Sequence, residues 1–121
     1  KKIFLEKAEK AFKSAHILFE NGCYDNSTSR AYYAAFQVAI AVLAKFGFTN
    51  DGNDHKWVQS TFSRELIHRR KIFPRKFDSI LSELFDRRVE ADYSRTNISK
   101  KQANLQIKRA NEFIETIKQV L

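Results

Sequence analysis

Four residues of this chain could act together on a phosphate: Arg88, Asp92 and Tyr93 in one short run, and His55 far upstream. Arginine grips phosphate through a fork of N–H donors and steadies charge that builds on it, while an imidazole can take or give a proton near neutral pH. The run R-R-V-E-A-D-Y (residues 87–93) belongs to a helix in which Phe77, Ile80 or Leu81, and Leu84 form an apolar stripe. Arg88 therefore arrives on the face that has been burying hydrocarbon. A guanidinium there needs a partner, and Asp92 is one helical turn away. The two form either a structural ion pair or a ligand-binding pair. Tyr93 follows on an adjacent side, where it can border the same cleft.

His55 opens another helix. With Val58, Phe62 and Leu66 it continues an inward stripe, and Asp54 before it is a suitable cap for the first amides. The positive end of the helix dipole disfavours imidazolium, so His55 is expected neutral, either as a core-edge residue or as a member of the site. His16 lies beside the stripe of the first helix and is read as structural.

Further chemistry is offered by the densest basic stretch, in which Arg64, Arg69, Arg70, Lys71, Arg75 and Lys76 face one acid, Glu65, across the only proline. It is either a solvated face or a phosphate-binding corner formed by Arg69, Arg70, Lys71, Arg75 and Lys76. The formal charge of +8 suits a polyanionic partner, but net charge alone speaks to solubility and association.

The elements that must position these groups are helices. Residues 31–44, A-Y-Y-A-A-F-Q-V-A-I-A-V-L-A, contain only Gln37 as a fully polar side chain, so the helix they form is apolar on every side. Spanning a membrane takes roughly 20 apolar residues, and this run falls short, so it is the buried axle of a bundle. A first helix over residues 2–21, with Leu5, Ala8, Phe12, Ala15 and Phe19 inward, ends at Gly22. The axle helix runs from Asp25, as its cap, to Phe46–Gly47. Pro74 should end the third helix and open the fourth, and Ser99–Gln102 is a capping box for a fifth whose inward stripe is Ala103, Ile107, Ala110, Phe113 or Ile114, Ile117 and Leu121.

The expected fold is thus all-α: an antiparallel four- to five-helix up-and-down bundle, one domain over residues 1–121, with helix boundaries near 21, 47, 70 and 94. The first residue, Lys1, is not a methionine, and residues are expected to precede it. No signal peptide is visible. A lone cysteine, Cys23, without metal-ligand spacing around it, points to a reducing, cytoplasmic setting and calls for no metal or cofactor.

In order, S-R-A-Y-Y-A-A-F (residues 29–36), His55 at a helix start, Arg88 leading to Ala91-Asp92-Tyr93, and an alanine-spaced last helix resemble the HEPN domain family over nearly the whole chain. The resemblance implies a dimerising helical bundle, often encoded beside a minimal nucleotidyltransferase as a toxin and antitoxin pair, with many members acting as metal-independent RNases. The family's RNase motif is an arginine followed after four to six residues by a histidine. Here Arg88 is followed in that window by Tyr93, Ser94 and Arg95. Tyrosine, with a pKa near ~10, is a poor general base at neutral pH. The chain therefore resembles the branch with R-x-x-A-D-Y. Either His55 comes across in space to supply the imidazole of an RNase, or the site binds nucleotide or RNA without cutting it. The plainest reading is a helical adaptor whose polar cluster fixes bundle register.

Overall fold

A computed structural model describes residues 2–121. Five α-helices follow one another: α1 (Lys2–Glu20), α2 (Tyr24–Lys45), α3 (His55–Thr61), α4 (Ile80–Tyr93) and α5 (Lys100–Lys118). A π-helical segment, Phe62–Arg69, continues α3, and a single 3-10 turn, Arg75–Phe77, precedes α4. Among the described residues there is no strand, and the fold is an all-α bundle.

The alanine-rich helix is the axle. From Ala31 to Leu43 every residue of α2 except Tyr33 is buried, and α1, α5 and α4 pack around it in decreasing order of contact. Alanines at zero exposure, such as Ala34, Ala35, Ala39 and Ala41, let those neighbours approach closely, while Tyr32, Phe36 and Leu43 fill the remaining volume. The neighbours meet it with Ala8, Ala11 and Ala15 from α1, Leu81 and Leu84 from α4, and Ala110, Phe113 and Ile117 from α5.

Two glycines close α1 and α2 in the same way. Gly22 (φ 76°) and Gly47 (φ 88°) adopt the left-handed conformation that lets the chain turn back, and the following amides of Cys23 and Phe48 donate to Leu18 and Leu43 at 2.8 and 2.9 Å. Asp54 caps α3 through Lys56 N at 3.0 Å, and the Ser99–Gln102 capping box forms reciprocally.

Three local expectations change. α2 begins at Tyr24 with Cys23 at its cap. Asp25 instead accepts from Ile98 N at 2.7 Å, tying the start of α2 to the α4–α5 loop. The third helix is not uniform, because five-residue hydrogen bonding widens its second half, so that Glu65, Leu66 and Ile67 are buried in succession. Pro74 does not open the fourth helix. It is extended (φ −70°, ψ 155°) and starts only the 3-10 turn, and α4 begins at Ile80. Asp78 explains the delay, since its carboxylate is held by Ser63 and by His68 Nε2 (2.7 Å), fastening this turn to the π-helical segment.

The close approach to α2 sets a stability test. Ala39→Leu adds bulk where there is none to spare and should cost about 1–3 kcal/mol. A melting temperature several degrees lower by circular dichroism is the expected reading, and an unchanged one would mean that α2 is loosely covered.

Candidate functional site

At one end of the axle the hydrophobic packing gives way to hydroxyls and charges. Ser29, Arg30, Tyr32 and Tyr33 from α2, His55 from the first turn of α3, and Arg88 and Asp92 from the last turns of α4 line a cleft of about 270 Å³. Helical periodicity explains the convergence: positions 29, 32 and 33 share one face of α2, and positions 88 and 92 share one face of α4.

Two short hydrogen-bonded chains shape the cleft. In the first, Arg88 Nε meets Asp92 Oδ2 at 3.0 Å, and Ser29 Oγ donates to Asp92 Oδ1 at 2.6 Å, so one carboxylate joins α4 to α2. Both charged side chains are 31% exposed, so the pair sits at a rim and is not sealed in the core. In the second, Tyr32 and His55 Nδ1 are 2.7 Å apart, with the imidazole ring packed against Phe36, Phe85 and Tyr32 at centroid distances of 4.6, 5.1 and 5.5 Å.

Electrostatics fixes the protonation of that second pair. Burial, reinforced by the nearby Arg88 charge and opposed by Asp54, lowers the His55 pKa below its ordinary 6.5, so the ring is neutral at pH 7. Burial pushes the Tyr32 hydroxyl up to about 12, against the lowering effects of a hydrogen bond from Gln59 and the charge of Arg88. The Tyr32 hydroxyl therefore keeps its proton at neutral pH and shares one hydrogen bond with His55 Nδ1, whose direction follows the imidazole tautomer.

Of the residues singled out in the sequence, Arg88, Asp92 and His55 come together, but Tyr93 does not join them. Tyr93 is 75% exposed and outside the cleft lining, because five residues on an α-helix turn it some ~140° away from Arg88. The basic stretch is also elsewhere, and none of its residues lines the cleft. Arg69 is bound to Glu65 at 2.8 Å, Lys76 to Glu112 at 2.6 Å, and Arg70 lies over the Phe46 and Phe48 rings. Arg69, against the opposing effect of burial and with help from Arg64, holds the Glu65 carboxyl below its usual range. Lys71 and Arg75 make no ion pair among the described residues. They flank a separate groove of about 510 Å³ beside His68, floored by Ile67, Ile72 and Phe73. Lys71 is left-handed (φ 54°), a conformation uncommon for a side-chain-bearing residue.

Sequence reasoning passed over Ser29, Arg30, Tyr32 and Tyr33 as site residues. Their signal was present as polar atoms spaced three and four apart, just before the helix turns apolar on every side.

The HEPN domain family model matches residues 2–120. The chain belongs to the HEPN domain family. Two proteins of Methanocaldococcus jannaschii, each named as a candidate toxin, are similar at 30% identity. One alignment covers 97% of this chain and 85% of the relative, and the other 97% and 78%. A UPF0332 protein of Archaeoglobus fulgidus is 34% identical over 94% of this chain and 89% of its own length. No helix of this HEPN domain is long and apolar enough to cross a membrane.

The half-buried imidazole gives the domain a pH signature. Because folding lowers the His55 pKa, the unfolded state binds more protons once pH drops below about 6.5, so stability is full above that value and falls as pH falls through the folded pKa. Glu65 and Asp78, also lowered, lose their contributions only below their ordinary 4.5 and 3.8, in a separate window. Urea midpoints between pH 7.5 and 5.5 should decline for the wild type and decline less for His55→Gln. Identical slopes would show that His55 is not held neutral.

Proposed function

We propose that this HEPN protein is the toxin-like member of a pair with a minimal nucleotidyltransferase, that it acts as a homodimer in a reducing, cytoplasmic setting, and that its cleft binds a nucleotide or RNA phosphate. The observation that carries this reading is that Arg88, oriented by Asp92 and Ser29, and a neutral His55, oriented by Tyr32, open onto one cleft. A purely structural ion pair would have no need of a third-exposed guanidinium beside an imidazole. Family membership and relatives named as candidate toxins support the biological setting.

A second reading, a metal-independent RNase, is supported by His55 lining the same cleft as Arg88, where it would supply the imidazole missing after that arginine. In that reading Arg88 stabilises the charge of the pentavalent phosphorane and His55 serves as acid or base. Tyr93 is outside the cleft and Tyr32 keeps its proton, so neither replaces the histidine.

Arg88→Ala should stay folded, since a rim pair contributes about 1 kcal/mol or less, while binding of nucleotides and short RNAs is lost. Wild-type affinity in that variant would return Arg88 to a structural role. His55→Ala should leave binding largely intact, and a steep loss of cleavage in that variant is the mark of the RNase reading.

The separate basic groove extends the same proposal to longer RNA. Replacing Lys71 and Arg75 together by alanine should flatten the log–log salt dependence of RNA affinity by about 1.4, the share of two single-strand phosphate contacts. Replacing Arg69 and Lys76, which already face acids, should flatten it less. Equal effects of the two double variants would leave the groove a solvated face.

A further inference from the structure

We infer that Arg30, stacked on Tyr33, is a base-recognition platform in the cleft, and that the ligand is therefore an unpaired nucleotide held by its base as well as its phosphate. This rests on the nucleotide- or RNA-phosphate reading of the same cleft and adds which residue meets the base and that the base must be unpaired.

The two guanidiniums of the cleft are held differently. Arg88 directs its Nε at Asp92, whose other oxygen accepts from Ser29, so its position is set by the protein. Arg30 makes no ion pair among the described residues; its guanidinium carbon lies 4.5 Å from the centroid of the Tyr33 ring. Tyr33 is half-buried and Arg30 is exposed. The guanidinium thus lies over the phenol on a residue that is exposed to solvent and lines the cleft.

A flat cation backed by an aromatic ring offers what a nucleobase seeks. Base stacking on such a surface is tolerant of sequence because every base has a π-face, and a guanidinium adds a cation–π component that an ammonium on a flexible stem does not reproduce. Arg30 directly follows Ser29, so the platform lies beside the chain that orients Arg88, and a ligand could place its phosphate on Arg88 and its base on Arg30. The cleft volume of about 270 Å³ suits one such unit. Bases of duplex RNA are stacked internally and present little face to a platform, so single-stranded RNA or a free nucleotide is the class selected.

The test uses the full chain and three probes: adenosine 5′-monophosphate, ribose 5-phosphate and inorganic phosphate, measured by calorimetry. Adenosine 5′-monophosphate should bind about 10-fold or more tightly than ribose 5-phosphate, the usual worth of one stacked base. Arg30→Lys keeps the charge at an exposed position and should erase that preference, leaving affinity for ribose 5-phosphate nearly unchanged. Arg88→Ala should weaken all three probes. Equal affinity for the two sugar phosphates, or a preference that survives Arg30→Lys, overturns the platform while leaving the phosphate site standing. If none of the probes binds, the phosphate reading falls and the platform with it. Protection by a duplex RNA equal to that by its single strand would also count against the platform.

Discussion

A helix with no polar side has to be covered on every side, and this requirement on α2 organises the molecule. Its alanines set how near α1, α4 and α5 can come, and its few polar side chains decide where each neighbour is fastened. Ser27 donates to the Ala15 carbonyl of α1 at 2.9 Å, Ser29 donates to Asp92 of α4, and Tyr32 shares a hydrogen bond with His55 of α3. These hydroxyls lie within two turns of one helix, yet each reaches a different element. The apolar length of α2 supplies the burial, and its polar start assigns the register. The cleft forms where the two regimes meet, so its geometry is a consequence of how the axle is packed.

Much of the fold was legible because periodic burial and capping are local. Gly22, Gly47, Asp54 and the Ser99–Gln102 box stop or start helices through bonds made within a few residues, and each does so here. Where a residue is claimed by a distant partner, local reasoning gave the wrong answer. Asp25 has the composition of a cap, but the amide of Ile98 takes its carboxylate. Pro74 suits a first helical position, but Asp78, drawn to Ser63 and His68, holds the following turn out of the helix. The π-helical segment is likewise invisible in a pattern that fits ordinary helical spacing through Phe62 and Leu66.

The same division applies to charge. The basic stretch looks uniform in sequence, but in space Glu65, Glu112 and the Phe46–Phe48 pair occupy Arg69, Lys76 and Arg70. Within that stretch Lys71 and Arg75 make no ion pair among the described residues, so they can meet an anion without first giving up an acid, a distinction that the density of positive residues does not carry.

The cleft separates two tasks that a compact arginine–histidine motif would combine on one helix. His55 reaches Arg88 only through tertiary packing, with burial and the arginine's own charge both opposing its protonation and Asp54 alone opposing them. A neutral ring neither repels Arg88 nor attracts a phosphate, so anion affinity in this cleft falls to the guanidiniums. Tyr32 already engages Nδ1, so Nε2 is the ring nitrogen without a hydrogen-bond partner among the described residues. The tyrosine that orients His55 thus leaves Nε2 as the nitrogen open to a ligand while anion affinity rests with the guanidiniums, and the two roles can be separated by substituting His55 and Arg88 one at a time.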